Sequence, residues 1–91
     1  MRIYKYPVPI EGGAVLMPEG AEILHVHEQS GSLCVWALVD EDSTAPEVSR
    51  VFNLYGTGQS VRSPSGKYLG TIHLPQYALV LHVFDMGVEK L

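Results

Sequence analysis

AEILHVHEQSGSLCVWALVD, residues 21–40, is the stretch on which the fold turns. Two apolar, β-branched runs, 21–29 and 33–40, flank Ser30-Gly31-Ser32, and runs of this kind around a short Gly/Ser turn form a β-hairpin. Side chains alternate across a strand, so Leu33, Val35, Ala37 and Val39 face one way and Cys34, Trp36 and Leu38 the other. An antiparallel strand with one face in water is polar on that face. This strand is apolar on both, so both faces of its sheet need cover.

The same logic extends outward. RIYKYPV (2–8) alternates, and Pro7 and Pro9 place it at a sheet edge. Gly12-Gly13 turns the chain into the short strand 14–17, which Pro18-Glu19-Gly20 closes. Residues 41–49 are polar and contain Pro46, as a surface loop would. Strands follow at 50–56, 67–74 and 77–86, and 88–91 is a frayed tail. Residues 77–84 continue the two-sided apolar pattern, Leu79, Leu81 and Val83 opposing Ala78, Val80 and Phe84. No segment has the helical spacing that a parallel crossover needs. The expectation is one all-β domain over 1–91, an antiparallel meander of about six strands in a bent sheet or small barrel. A chain of 91 residues has little left to cover a second face, so a homo-oligomer is expected.

Composition narrows the function. Hydrophobic residues make up 46% and charged residues 18%, with a formal net charge of −4. That balance argues against disorder and against duplex nucleic acid, whose binding needs many phosphate-neutralising cations. A local anion site needs only two or three. The single cysteine, Cys34, lies in an apolar run and is expected to be a buried, reduced thiol. No secretion signal and no apolar run of membrane-spanning length is present, so a cytoplasmic protein without membrane partners is expected.

LYGTGQSVRSPSGKYLGT (54–71) is the stretch closest to known binding motifs. A dinucleotide fingerprint needs a third glycine where Val61 stands and a helix after it; a Walker loop needs Ser or Thr where Tyr68 follows Lys67. Two readings remain and are compatible. One is a hairpin whose far turn is Ser63-Pro64-Ser65-Gly66. The other is an anion or nucleotide contact, with backbone amides of a nest-like loop and cations on phosphate and a tyrosine under the base. Its residues are Tyr55, Gly56, Thr57, Gly58, Gln59, Arg62, Lys67 and Tyr68. By alternation Tyr68 shares a face with Gly70 and Ile72, and the glycine leaves room either for a flat ligand or for another backbone.

His25 and His27 share a strand face, and with His73 or His82 they suggest a zinc or iron site. Glu22 and Glu28 have the opposite parity, which weighs against that, and no metal or other cofactor is assigned. The two imidazoles also suit the polar face of the hairpin, or a ligand contact. His82 interrupts an apolar run as a hydrogen-bonded core or interface residue would, and Asp85 falls on the other face. No nucleophile completes a triad with them, so no catalytic residues are expected.

Taken together, I-Y-K-Y-P at 3–7, M-P-E-G-A-E-I-L-H-V at 17–26, W-A-L-V-D at 36–40, G-T-G at 56–58, Y-L-G-T at 68–71 and L-H-V-F at 81–84 give the chain a resemblance to small proteins of unknown function encoded by bacteriophages and prophages. The resemblance implies a compact β fold and a phage setting, in the cytoplasm of an infected bacterium. Small acidic phage oligomers are often anti-defence factors, one class of which sequesters nucleotide-derived immune signals without cleaving them, and by analogy that is the function the likeness suggests. The alternative is a protein-interaction module that inhibits a host protein or serves phage assembly.

Overall fold

The computed structural model describes residues 1–42, 44–61 and 66–89. Seven strands form: β1 (Arg2–Pro7), β2 (Gly13–Pro18), β3 (Glu22–Gln29), β4 (Ser32–Val39), β5 (Glu47–Gly56), β6 (Lys67–Leu74) and β7 (Leu79–Val88). The all-β, antiparallel class is as the sequence implies. The strands divide into two sheets that do not close, in the orders β1-β4-β3 and β2-β5-β7-β6.

The order departs from a simple meander in one respect that matters for the site. β5 and β6 are not hairpin partners; β7 lies between them and pairs with both. The most strand-like segment thus takes the position where both of its edges are hydrogen-bonded. The proposed far turn at 63–65 lies outside the described residues. Boundaries also shift: β5 begins at Glu47, inside the polar stretch 41–49, and Val88 still belongs to β7. Tyr77, expected in a strand, ends the 3₁₀ turn Pro75–Tyr77, which Ala78 closes with a left-handed φ of 54°.

The β3–β4 hairpin shows how local chemistry sets register. Ser30 and Gly31 both have positive φ, 52° and 84°, the requirement of a two-residue turn that matches strand twist. The Glu28 carboxylate accepts from the Gly31 amide at 2.6 Å, and Gln76 donates to the Gly31 carbonyl at 2.9 Å. From this turn, Val26, Leu33, Val35, Ala37 and Val39 enter a core shared with Met17, Phe52, Ile72, Leu74, Leu81 and Val83 of the other sheet. Phe52, Met17, Leu33, Leu74, Val35 and Val83 are fully buried.

One polar feature is built into the buried side. Asp85 faces inward and accepts from Arg50 through both carboxylate oxygens, at 3.0 and 2.7 Å, and from the Gly87 amide at 2.9 Å. Arg50 also donates to the Ala21 carbonyl at 2.8 Å, just before β3. Arg50, held by Asp85, therefore ties the four-stranded sheet through this hydrogen bond to the chain entering the three-stranded one.

Irregularities in the ladders re-aim side chains. Extra residues fall at Leu24 in β3, Leu69 in β6 and Met86 in β7, and each reverses the parity that strict alternation would give. Tyr68 pairs with Phe84 but Gly70 pairs with Val83, so Tyr68 and Gly70 stand on opposite faces, contrary to the alternation expected from sequence. The space at Gly70 serves packing: a Cβ there would lie 3.1 Å from Val26 Cγ1. A glycine at this point lets β6 approach β3, although no strand ladder joins them.

Tyr6, half-buried at the edge strand, gives a pH signature. Burial, then the charge of Glu47 and the neighbouring Tyr4, raises its phenol above the ordinary 10.0. The folded chain holds this proton more tightly than the unfolded one. Its stabilisation is complete below about pH 10 and is lost as pH rises through the folded value. Melting temperature is expected to fall above about pH 10, and more gradually in Tyr6→Phe.

Candidate functional site

The outward face of the four-stranded sheet carries a concavity of about 330 Å³, lined by Tyr55, Gly56, Thr57, Gly58, Gln59, Val61, Tyr68, His82 and Phe84. Its construction follows from register. Tyr55 of β5 lies opposite His82 of β7, Asn53 opposite Phe84, and Phe84 opposite Tyr68 of β6. Three aromatic rings from three adjacent strands therefore meet. Phe84 is central, with Tyr55 at 5.7 Å in an edge-on contact and Tyr68 at 5.5 Å in a tilted one. Asn53 donates to the Tyr55 hydroxyl at 3.3 Å.

Beside the rings runs a chain of polar contacts. His82 lies between two threonine hydroxyls, Thr57 at 2.8 Å from Nε2 and Thr71 at 2.9 Å from Nδ1. Thr71 in turn meets the Tyr68 hydroxyl at 2.5 Å. A neutral imidazole has one donor and one acceptor nitrogen, and a hydroxyl serves either, so both sides of His82 are satisfied. The chain fixes the turn after β5 and the Tyr68 ring to one histidine.

The glycine-rich segment itself is a tight turn. Gln59 donates its amide to the Gly56 carbonyl at 3.1 Å, with Gly58 at φ 87° in the third position, as a type II turn requires. The Gln59 side-chain carbonyl accepts from the Gly56 amide at 3.0 Å. Two of the loop's amides, those of Gly56 and Gln59, are thus committed within the turn.

Of the eight residues singled out from sequence, Tyr55, Gly56, Thr57, Gly58, Gln59 and Tyr68 line the concavity. Lys67 does not. It pairs with Asp85, whereas Tyr68 pairs with Phe84, so Lys67 stands on the opposite face of β6. Arg62 lies outside the described residues. No Lys or Arg lines the concavity among the described residues, and no Asp, Glu or Cys does so either. His82, Phe84 and Val61 complete the lining without having been singled out as ligand contacts. His82 and Phe84 carried a signal, since alternation in L-H-V-F puts both on one face, but their meeting with Tyr55 and Tyr68 required the strand order.

Residues 1–90 match the model of a family described as a domain of unknown function, DUF7352. The chain belongs to this family. No curated protein and no solved structure matches it.

The DUF7352 chain has a second, larger concavity of about 550 Å³ between β3 and β6, lined in part by His25, His27, Glu28, Gly70, Thr71 and His73. Thr71 borders it and is also bonded to His82 and Tyr68, so the two concavities adjoin along β6. Among the described residues no three potential metal ligands converge. The parity argument about the carboxylates changes, however. With Leu24 as the extra residue, Glu22 pairs with Leu38 and His25 with Trp36, two β4 positions that share a face. Glu22 therefore lies on the same side as His25 and His27.

Proposed function

We propose that this DUF7352 chain is a binding protein that stacks the flat base of a nucleotide-type ligand in the Tyr55–Phe84–Tyr68 concavity and withholds it without chemical turnover. The observation that carries this is the convergence of three rings from three strands beside the Thr57–His82–Thr71 hydroxyl and imidazole groups. Rings supply a stacking surface, and fixed polar groups give orientation. The one imidazole in the lining, His82, has both ring nitrogens engaged by Thr57 and Thr71, which suits orienting a ligand better than moving a proton. A concavity of this size suits one base, and a second copy closing over exposed Tyr68 would complete it as a homo-oligomeric pocket. The phage resemblance then suggests sequestration of an immune signal in the infected cytoplasm.

Thermal denaturation with a panel of mononucleotides, cyclic dinucleotides and ADP-ribose derivatives tests the proposal. A ligand at a hundred times its Kd stabilises by about 2.7 kcal/mol, and a raised melting temperature with at least one member is expected. An unchanged melting temperature across the panel at large excess counts against it.

A protein-interaction role has its own support in the exposed apolar side chains Ile3, Leu16 and Leu24. Recovery of one stoichiometric host protein from lysate, with no small molecule released on denaturation, would favour that role instead.

A further inference from the structure

We propose that His25 and His27 form a two-imidazole chelate for a divalent transition metal at the rim of the β3–β6 cleft, with Cu²⁺ bound ahead of Ni²⁺ and Zn²⁺. The inference is independent of the aromatic concavity.

Both imidazoles are exposed and stand side by side, their centroids 5.7 Å apart with planes 27° from parallel. A metal held at about 2.0–2.1 Å from a ring nitrogen lies about 3.2 Å from the ring centroid, so imidazoles in adjacent positions of a tetragonal Cu²⁺ site have centroids about 4.5 Å apart. The observed 5.7 Å is about 1 Å wider, so chelation requires the two exposed rings to rotate toward one another.

The tautomer of the neutral ring is set the right way at His27. Its Nδ1 lies 2.6 Å from the Glu28 carbonyl oxygen, which only accepts, so Nδ1 carries the proton and Nε2 keeps its lone pair. Metal-binding histidines are commonly oriented by such a bond from the non-ligating nitrogen to a carbonyl. Among the described residues His25 makes no side-chain hydrogen bond that would occupy its ring nitrogens. Neighbouring charge is of both signs: the β3 irregularity turns Glu22 to the same face, and Lys5, which also pairs with Trp36, reaches Gln29 there. With no third ligating side chain converging among the described residues, water fills the remaining positions. Neutral imidazole donors without thiolate favour Cu²⁺ among first-row divalent ions.

Trp36 is the sole tryptophan, and its ring lies 5.9 Å from that of His25. Cu²⁺ held by the chelate would therefore quench the intrinsic fluorescence. Tag-free protein titrated with Cu²⁺ at neutral pH is expected to show saturable quenching at one equivalent per chain, reversed by a chelator. The electron paramagnetic resonance spectrum of the Cu²⁺ form should carry coupling from two nitrogens. His25→Ala and His27→Ala should each abolish the one-equivalent phase. His73→Ala, across the cleft, should retain it. Absence of saturable quenching, quenching that survives both β3 replacements, or equal loss in His73→Ala overturns the assignment.

Discussion

Replacement of Asp85 by alanine is expected to destabilise the fold by about 3–5 kcal/mol, the cost of leaving a buried charge without its partner. The Asp85 and Arg50 side chains are only 7% and 18% exposed. Arg50 cannot shed its charge, and without Asp85 it keeps only the Ala21 carbonyl contact. The Gly87 amide loses its acceptor in the same step. For a domain of this size each kcal/mol moves the melting temperature by about 4–8 °C, so thermal unfolding followed by circular dichroism should show a fall of tens of degrees or no folded state. Asp85→Asn should fall between wild type and Asp85→Ala, because it keeps the volume and one acceptor but not the charge. The double replacement Arg50→Met with Asp85→Leu should be less harmful than Asp85→Ala alone, since removing both charges leaves nothing unpaired. Equal stability of Asp85→Ala and wild type would show that the pair does not stabilise the fold.

Tyr68→Ala is expected to weaken nucleotide-type binding by about 5- to 150-fold, the range that one base–aromatic stacking contact of about 1–3 kcal/mol implies. The same variant should change stability little, because Tyr68 is 54% exposed and contributes to the core less than any inward residue of β6. That separation makes it the sharper probe. Phe84→Ala would disturb both the stacking surface and the packing of β7, so loss of binding there would be ambiguous. Thr71→Val removes the hydroxyl shared by Tyr68 and His82 while keeping the shape. It should weaken binding by less than Tyr68→Ala, because the rings remain and only their orientation is loosened. Calorimetric titration of the three proteins with the ligand that gives the largest melting shift supplies the comparison. Equal affinity of wild type and Tyr68→Ala would remove this face from the account.

Much of this architecture was legible because strand chemistry is local. The Ser30-Gly31 turn, the inward set Leu33, Val35, Ala37 and Val39, and the absence of helical spacing all follow from neighbours in sequence. Two things were not legible, for physical reasons. Strand order depends on which edges find partners across long loops, so 54–71 suggested a hairpin although β7 separates β5 from β6. Irregularities at Leu24 and Leu69 also have no clear sequence mark, yet each flips the face of everything beyond it. That is why Glu22 was placed away from His25, and Gly70 beside Tyr68. Tyr55 and Tyr68 were singled out because they bracket the loop, and the strands bring both to one concavity. Of the two cations, Lys67 faces the other way by register, and Arg62 lies outside the described residues. His82 and Phe84 were undervalued because a histidine and a phenylalanine in an apolar run most often serve the core.

Chemical-shift mapping of the ¹⁵N-labelled chain during titration with adenosine monophosphate and cyclic dinucleotides tests the central claim most directly. Saturable perturbations concentrated at Tyr55, residues 56–59, Tyr68, His82 and Phe84 are the expected result. Unperturbed spectra at large excess of every ligand, or perturbations confined to the three-stranded sheet, would contradict it.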